Sequence, residues 1–283
     1  MISIDVETAQ KQSSHIGSND KIKVINLLKW LSKIQNNQSW GFSGIFLSST
    51  IFHLFKLTNN RTLSSYLGLS VFHELLPLLL SGIAFVNYYF IVSDLGYIKI
   101  YLDENNRLIN RNLRIMDEEQ LHQRLMVASS RKIYYVRYIC WLFSWPLLMF
   151  TIQIYCTNSS CLELLKTPES SLCAIILTEV LVSVLLIASF TCNTIKCLAA
   201  LVSLAVQMGL VVSLTRSLVI GKAIQSLAMA VMPIFLMSWV AYLVAWSFGE
   251  GFVVISDLTK ETIWGVSDTI QFAVIPSLLV CFI

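Results

Sequence analysis

The sequence predicts an all-α membrane protein, a bundle of seven transmembrane helices. Two compositional observations and one pattern point there. Hydrophobic residues make up 55% of the chain and charged residues only 13%, against roughly 25% charged in soluble domains. Mean hydropathy is +0.68. Seven apolar runs recur along the chain, most of them near the ~20 residues that cross a hydrocarbon core.

Residues 1–39 form a polar N-terminal tail carrying Lys11, Lys21, Lys23, Lys29 and Lys33. With no long apolar core before Trp40, the tail does not read as a signal peptide. Val24, Leu27, Leu28, Leu31 and Ile34 share one helical face, which predicts a short amphipathic lead-in at the interface. The transmembrane domain is residues 40–283. Its spans are read at Trp40–Leu57, Leu67–Val92, Ile133–Tyr155, Leu172–Cys192, Ile195–Leu214, Ile224–Phe248 and Thr262–Ile283. The first is short and contains His53. Asn193 and Thr194 join the fourth and fifth spans, and Arg216–Lys222 joins the fifth and sixth. Links this short make sequence neighbours antiparallel neighbours in space. The exception is residues 98–132, a long charged loop read as a solvated connector, with helical composition over Asp117–Ser130. No internal repeat is evident.

Few side chains in the apolar runs carry chemistry. Arg137 opens the third, Glu179 sits in the middle of the fourth, and Asp268 lies in the seventh. Charged groups at membrane depth are costly and face the protein interior or a partner. Arg137 and Asp268 are therefore expected to pair, either to lock two helices together or to handle a ligand, ion or proton. Glu179 reads as a protonated, hydrogen-bonded structural acid or a relay group. His73 and Glu74 lie in the second span, and Asp94 is placed to cap its end. Trp239, Tyr242 and Trp246 share a face of the sixth. Pro146, Pro233 and Pro276 fall inside spans, where proline kinks a helix. The seven cysteines include no metal-ligand spacing. Most lie in or beside apolar runs as small hydrophobes, and only Cys156 and Cys161 are spaced for a loop disulfide. No metal site, nucleophile–base pair or phosphate loop is found, so an enzyme is not expected. The net charge of +3 gives no reason to expect nucleic acid; the partner implied is the lipid bilayer.

Four stretches carry a resemblance. They are Asn87-Tyr88-Tyr89-Phe90-Ile91-Val92-Ser93-Asp94-Leu95-Gly96-Tyr97; Arg137-Tyr138-Ile139-Cys140-Trp141 with Ser144-Trp145-Pro146-Leu147; Trp239, Tyr242 and Trp246; and Glu261-Thr262-Ile263-Trp264-Gly265-Val266-Ser267-Asp268. In order and spacing they resemble helices two, three, six and seven of the microbial (type 1) rhodopsins. The chain is most similar to fungal opsin-related proteins, including heat-shock-induced plasma-membrane proteins of yeasts. The resemblance implies a retinal pocket lined by Trp141, Trp239, Tyr242 and Trp246. It also implies a retained counterion at Asp268 beside Arg137, and Glu250 near an extracellular proton-release region.

The family's retinal is a Schiff base on a lysine, because only a primary amine condenses with an aldehyde. Here the matching position is Phe272, or Gln271 with a slip of one residue. Cys140 and Thr151 stand at the helix-three counterion and proton-donor positions, and Leu243 replaces a helix-six proline. No covalent retinal and no cofactor are therefore expected. The resemblance implies a non-photoactive, stress-linked modulator of plasma-membrane proton transport, with a plasma-membrane proton ATPase as candidate partner. The alternatives are an ion or proton channel or transporter using Arg137, Asp268, Glu179 and Glu250, or a sensor of a non-covalent apolar ligand. It also implies an external N-terminus, whereas the distribution of lysine and arginine favours the opposite orientation.

Overall fold

The computed structural model describes residues 37–57, 71–102, 129–157, 168–191, 193–220 and 225–281. Helix α1 covers 37–57 and α2 covers Val71–Val92. A hairpin follows, β1 Ile98–Leu102 with β2 Ser129–Ile133. Then come α3 Tyr135–Thr157, α4 Pro168–Ser189 and α5 Asn193–Ile220. Helix α6 runs Gln225–Trp246 and passes into a π turn at Ser247–Gly251. Helix α7 runs Asp257–Thr269, widens into a π turn at Ile270–Val274 and ends with Ile275–Cys281.

Seven helices are thus present among the described residues, in the predicted order. Five contain stretches long and apolar enough to cross a membrane: Leu75–Val92, Tyr135–Cys156, Ile195–Arg216, Met229–Gly251 and Asp257–Cys281. In α4 the apolar stretch is shorter, Ile175–Ser189. Helix α1 is diluted by Ser43, Ser48, Ser49, Thr50, His53 and Lys56.

The predicted boundaries shift at most helix ends, and Asn193 and Thr194, predicted as a link, open α5 instead. Helix α5 continues through Arg216 to Ile220, so that arginine is helical and not part of a link. Helix α7 begins at Asp257, before the predicted Thr262. The cause is local: the Ser256 hydroxyl accepts from the Thr259 N–H at 3.1 Å, and Asp257 places a negative charge in the first turn. The ends of the long loop are strands, so the expected helix does not include Ser129 and Ser130. Residues 103–128, the tail helix at Val24–Ile34, and Leu67, Cys161 and Ile224 lie outside the described residues, as do the side chains of His73 and Glu74.

In the hairpin, Ile98 pairs with Ile133, Lys99 with Lys132 and Ile100 with Arg131. Like charges opposite each other are destabilising. Asp94 offsets the charge of Lys132 at 2.6 Å, and the Lys132 ammonium lies 4.5 Å from the Tyr97 ring centre. Asp94 therefore ties the hairpin to α2 and does not cap the helix. Its φ of 54° and that of Gly96, 68°, turn the chain. At Gly96 a Cβ would lie 2.7 Å from Val136 Cβ, so the turn also needs the missing side chain. Tyr134 donates to Asp94 at 3.2 Å, and burial holds its hydroxyl protonated well above the usual range.

Lipid tails are as apolar as leucine, so the bundle is held by close packing and polar contacts more than by the hydrophobic effect. Trp141, Trp145, Trp246 and Trp264 are fully buried. Helix α1 meets α7 at Gly265, where a Cβ would lie 2.2 Å from Phe42 Cε2. Phe42 and Phe46 continue onto Tyr88 of α2, with ring centres 5.5 and 5.3 Å away.

Candidate functional site

Asp268 is completely buried on α7. Its carboxylate accepts from three neutral donors on three helices: Tyr88 of α2 at 2.8 Å, Trp141 of α3 at 3.1 Å, and Tyr242 of α6. Donors fixed in this way stabilise a buried carboxylate without a cation in contact.

The expected Arg137–Asp268 ion pair is not formed. Arg137, also completely buried, donates through Nη2 to Glu261 at 2.5 Å. Its guanidinium lies 4.5 Å from the Trp264 ring centre and 5.9 Å from that of Tyr88. The reason is reach along α7. Glu261 lies two turns before Asp268 on the same face, level with the start of α3. Nε and Nη1 of Arg137 have no partner among the described residues.

Glu261 opens a chain of buried charges. Lys260, 1% exposed, has its ammonium 3.3 Å from Glu250, 3.3 Å from Asp257 and 3.8 Å from Glu261. Glu250 accepts from Tyr138 of α3 and, at 2.8 Å, from Ser189 of α4. The Lys196 ammonium on α5 donates to the Glu250 carbonyl at 3.0 Å. Gly249 makes room, since a Cβ there would stand 2.7 Å from Lys260 Cδ. Helices α3 to α7 are joined at this end by one cluster. Glu250, expected in a polar core or path, is buried and paired within it.

The predicted aromatic pocket is only partly assembled as expected. Trp141, Trp239 and Tyr242 come together, through Trp145. The Trp145 ring stacks on Trp141 at 5.0 Å and 11°, and stands 5.1 Å from Trp239 and 5.3 Å from Tyr242. Trp246 belongs to the charged end, where its indole N–H donates to Ser189 at 3.1 Å. Phe272 is buried in the π turn of α7, next to Gln271, whose amide donates to Ser238 at 2.8 Å. Pro276 has no N–H to give the Phe272 carbonyl four residues earlier, so the helix lacks one backbone bond just beyond the π turn.

Glu179 is not among these groups. It is part-exposed on α4 and has no hydrogen bond or ion pair among the described residues, which corrects the expected hydrogen-bonded core acid. The side chains that sequence reasoning missed are Glu261, Lys260, Tyr88, Tyr138, Trp145 and Ser189. For Glu261 a signal existed in its heptad spacing to Asp268. Tyr88, Tyr138 and Trp145 stand inside the recognised motifs without an assigned role. Nothing in the sequence marks Ser189.

A family model described as bacteriorhodopsin-like protein matches residues 45–272. Among solved structures, the rhodopsin CsR of Coccomyxa subellipsoidea, a light-driven proton pump, is similar at TM-score 0.69 and 19% identity, over 87% of this chain and 96% of that one. The light-driven proton pump LR (Mac) of Leptosphaeria maculans gives 0.67 and 17%, over 88% and 95%. Thermophilic rhodopsin from Rubrobacter xylanophilus gives 0.68 and 18%, over 87% and 95%. A search of curated proteins returns no match. With its helices in the predicted order and most of its length matched by the family model, this chain belongs to the bacteriorhodopsin-like protein family.

Proposed function

We propose that this chain is a non-photoactive member of its family that acts through protein contacts, as a stress-linked modulator of plasma-membrane proton transport. The observation that carries the non-photoactive half is Phe272. It is a buried hydrocarbon ring at the position where the resemblance requires an amine. Three further observations support this reading. Trp145 stacks on Trp141 and lies 5.1 Å from Trp239, bridging two of the predicted pocket residues. Lys260, on the same helix as Phe272, is held at the far end by Glu250, Asp257 and Glu261. Thr151, at the proton-donor position, has no carboxylate, and its hydroxyl donates to Leu147 of its own helix at 2.7 Å.

The interaction half rests on the resemblance to the yeast proteins and on charge pairing. Glu250, Glu261, Lys260 and Arg137 each have an opposite charge within 4 Å, an arrangement suited to fastening helices more than to passing ions. Two measurements test the reading. Protein purified with all-trans retinal should show no visible band that survives denaturation as a covalent adduct. Co-reconstitution with a plasma-membrane proton ATPase should change the pumping rate, while liposomes holding this protein alone carry no proton flux. A covalent adduct overturns the first half. An intrinsic flux lost in a well-folded Asp268→Asn variant overturns the second and promotes the channel or transporter. The sensor reading has one observation in its favour: Ser144 Oγ and the Trp145 and Trp239 indole N–H groups are buried without a partner among the described residues. Saturable quenching of tryptophan fluorescence by added retinal, without adduct formation, supports that reading.

A further inference from the structure

Glu179 sits at the midpoint of α4, a helix running Pro168–Ser189. Its apolar stretch is Ile175–Ser189, so at 1.5 Å per residue Glu179 lies about 6 Å inside one end of that stretch and about 15 Å from the other, within a hydrocarbon core roughly 30 Å thick. The exposed face of α4 contains Cys173, Ile176, Val180, Ser183 and Ile187. Glu179 adjoins that face beside Ile176 and Ser183, one turn away in each direction. Among the described residues it is an acid of the apolar helix interior left unsatisfied: Asp268 has three donors, whereas no described group bonds or pairs with Glu179.

A carboxyl at this depth requires a partner. We infer that α4 docks on α4 of a second copy of this chain, with the two Glu179 side chains meeting across a two-fold axis along the membrane normal. Two copies inserted in the same direction hold every residue at equal depth, so an isologous contact brings Glu179 onto itself. Two carboxylic acids then satisfy each other by reciprocal O–H···O bonds, with no net charge left in the hydrocarbon. Ser183, one turn along and exposed, offers a second hydroxyl to the same contact. Interhelical polar contacts of this kind hold membrane helices together. A foreign helix with a cation at the same depth would have to carry its own costly intramembrane charge; a second copy needs none. The inference stands independently of the chromophore and ATPase readings.

The test is subunit counting by single-molecule photobleaching of the full chain in liposomes over a range of protein-to-lipid ratios. The wild type should dimerise on concentration. Glu179→Leu should weaken dimerisation by roughly 3- to 30-fold and leave the thermal midpoint of the monomer unchanged. Glu179→Gln, whose amide also pairs with itself, should retain the dimer. A wild type that stays monomeric throughout, or a Glu179→Leu variant that dimerises as well as wild type, overturns the inference. So does a wild type that is monomeric alone but retains a different membrane protein through purification that Glu179→Leu loses, which would assign the face to a partner helix bearing a cation.

Discussion

At the scale of single residues, the two buried acids of α7 are supported in different ways. Glu261 carries the counter-charge for a completely buried arginine, while Asp268 rests on neutral donors. Glu261→Gln should therefore lower stability by about 3–5 kcal/mol, because it leaves a buried guanidinium unpaired. Asp268→Asn keeps an acceptor for Trp141 and Tyr242, and the Tyr88 hydroxyl can turn to accept from the new amide. It should cost less, about 1–3 kcal/mol. Thermal unfolding of both variants in one detergent checks the order, and a larger loss for Asp268→Asn would mean that Arg137 depends on Asp268 after all. The buried positions of Arg137 and Asp268 were legible because charges stand out in apolar runs. Their partners were not, because the Arg137 side chain is long enough to reach either acid on the same helical face. Only the packing of α3 against α7 decides which one it meets. Lys260 was missed for a similar reason. A lysine near a helix end normally extends to water, and here acids from two segments converge on it.

At the scale of elements, helix order was readable and helix ends were not. The apolar runs report which residues lie in lipid, whereas the helices continue beyond the lipid wherever caps and partners allow, as Ser256 and Thr259 do for α7. The strands were hidden because Lys99, Arg131 and Lys132 read as loop. The partner of Lys132 is Asp94, 38 residues earlier in the sequence. The doubt between Phe272 and Gln271 also has a structural source. Counting by fours from Asp268 assumes α pitch, and the chain is in a π turn at 270–274. Contact between elements gives a sharper prediction. Gly265→Ala puts a methyl 2.2 Å from Phe42 Cε2 and should cost about 1–3 kcal/mol through overpacking. Phe42→Ala in the same chain should recover part of that loss, read as a coupling in a double-mutant cycle of thermal stabilities. Independent, additive effects would show that α1 can shift away from α7 without cost.

At the scale of the whole molecule, the bundle has two unlike ends. The end where α3 and α7 begin holds the hairpin and the cluster of Arg137, Lys196, Lys260, Glu250, Asp257 and Glu261. The opposite end holds fewer charges among the described residues; there the Lys56 ammonium donates to the Val280 carbonyl at 2.8 Å. An external N-terminus, which the resemblance implies, would put the charged end on the outer side as well. Glycosylation mapping in a secretory system checks this orientation: sugar on Asn37 is the expected result, and sugar on Asn60 or Asn158 means the reverse. The seven-helix order was legible because lipid enforces one simple rule of length and polarity. The cluster was not, because its members come from α3, α5, the end of α6 and α7, and only the packing of those elements brings them together.

The π turn at Ile270–Val274 bears on how this chain tolerates insertions and deletions. A π turn holds one residue more than the α turn it replaces, so α7 carries a single-residue insertion absorbed locally. Deleting Gln271 should close the turn to α pitch and leave Asp268 on one side, and Leu279 on the other, facing the neighbours they face now. Deleting Ile263, inside the regular helix before it, has no such slack. It would rotate Glu261 and Lys260 by about 100° relative to Asp268 and carry them away from Arg137 and Glu250. A deletion scan along α7, scored by the amount of folded protein, should therefore show one permissive window at 270–274 between two intolerant ones. A scan with no such window would mean that the extra residue is held there by packing and cannot be given up.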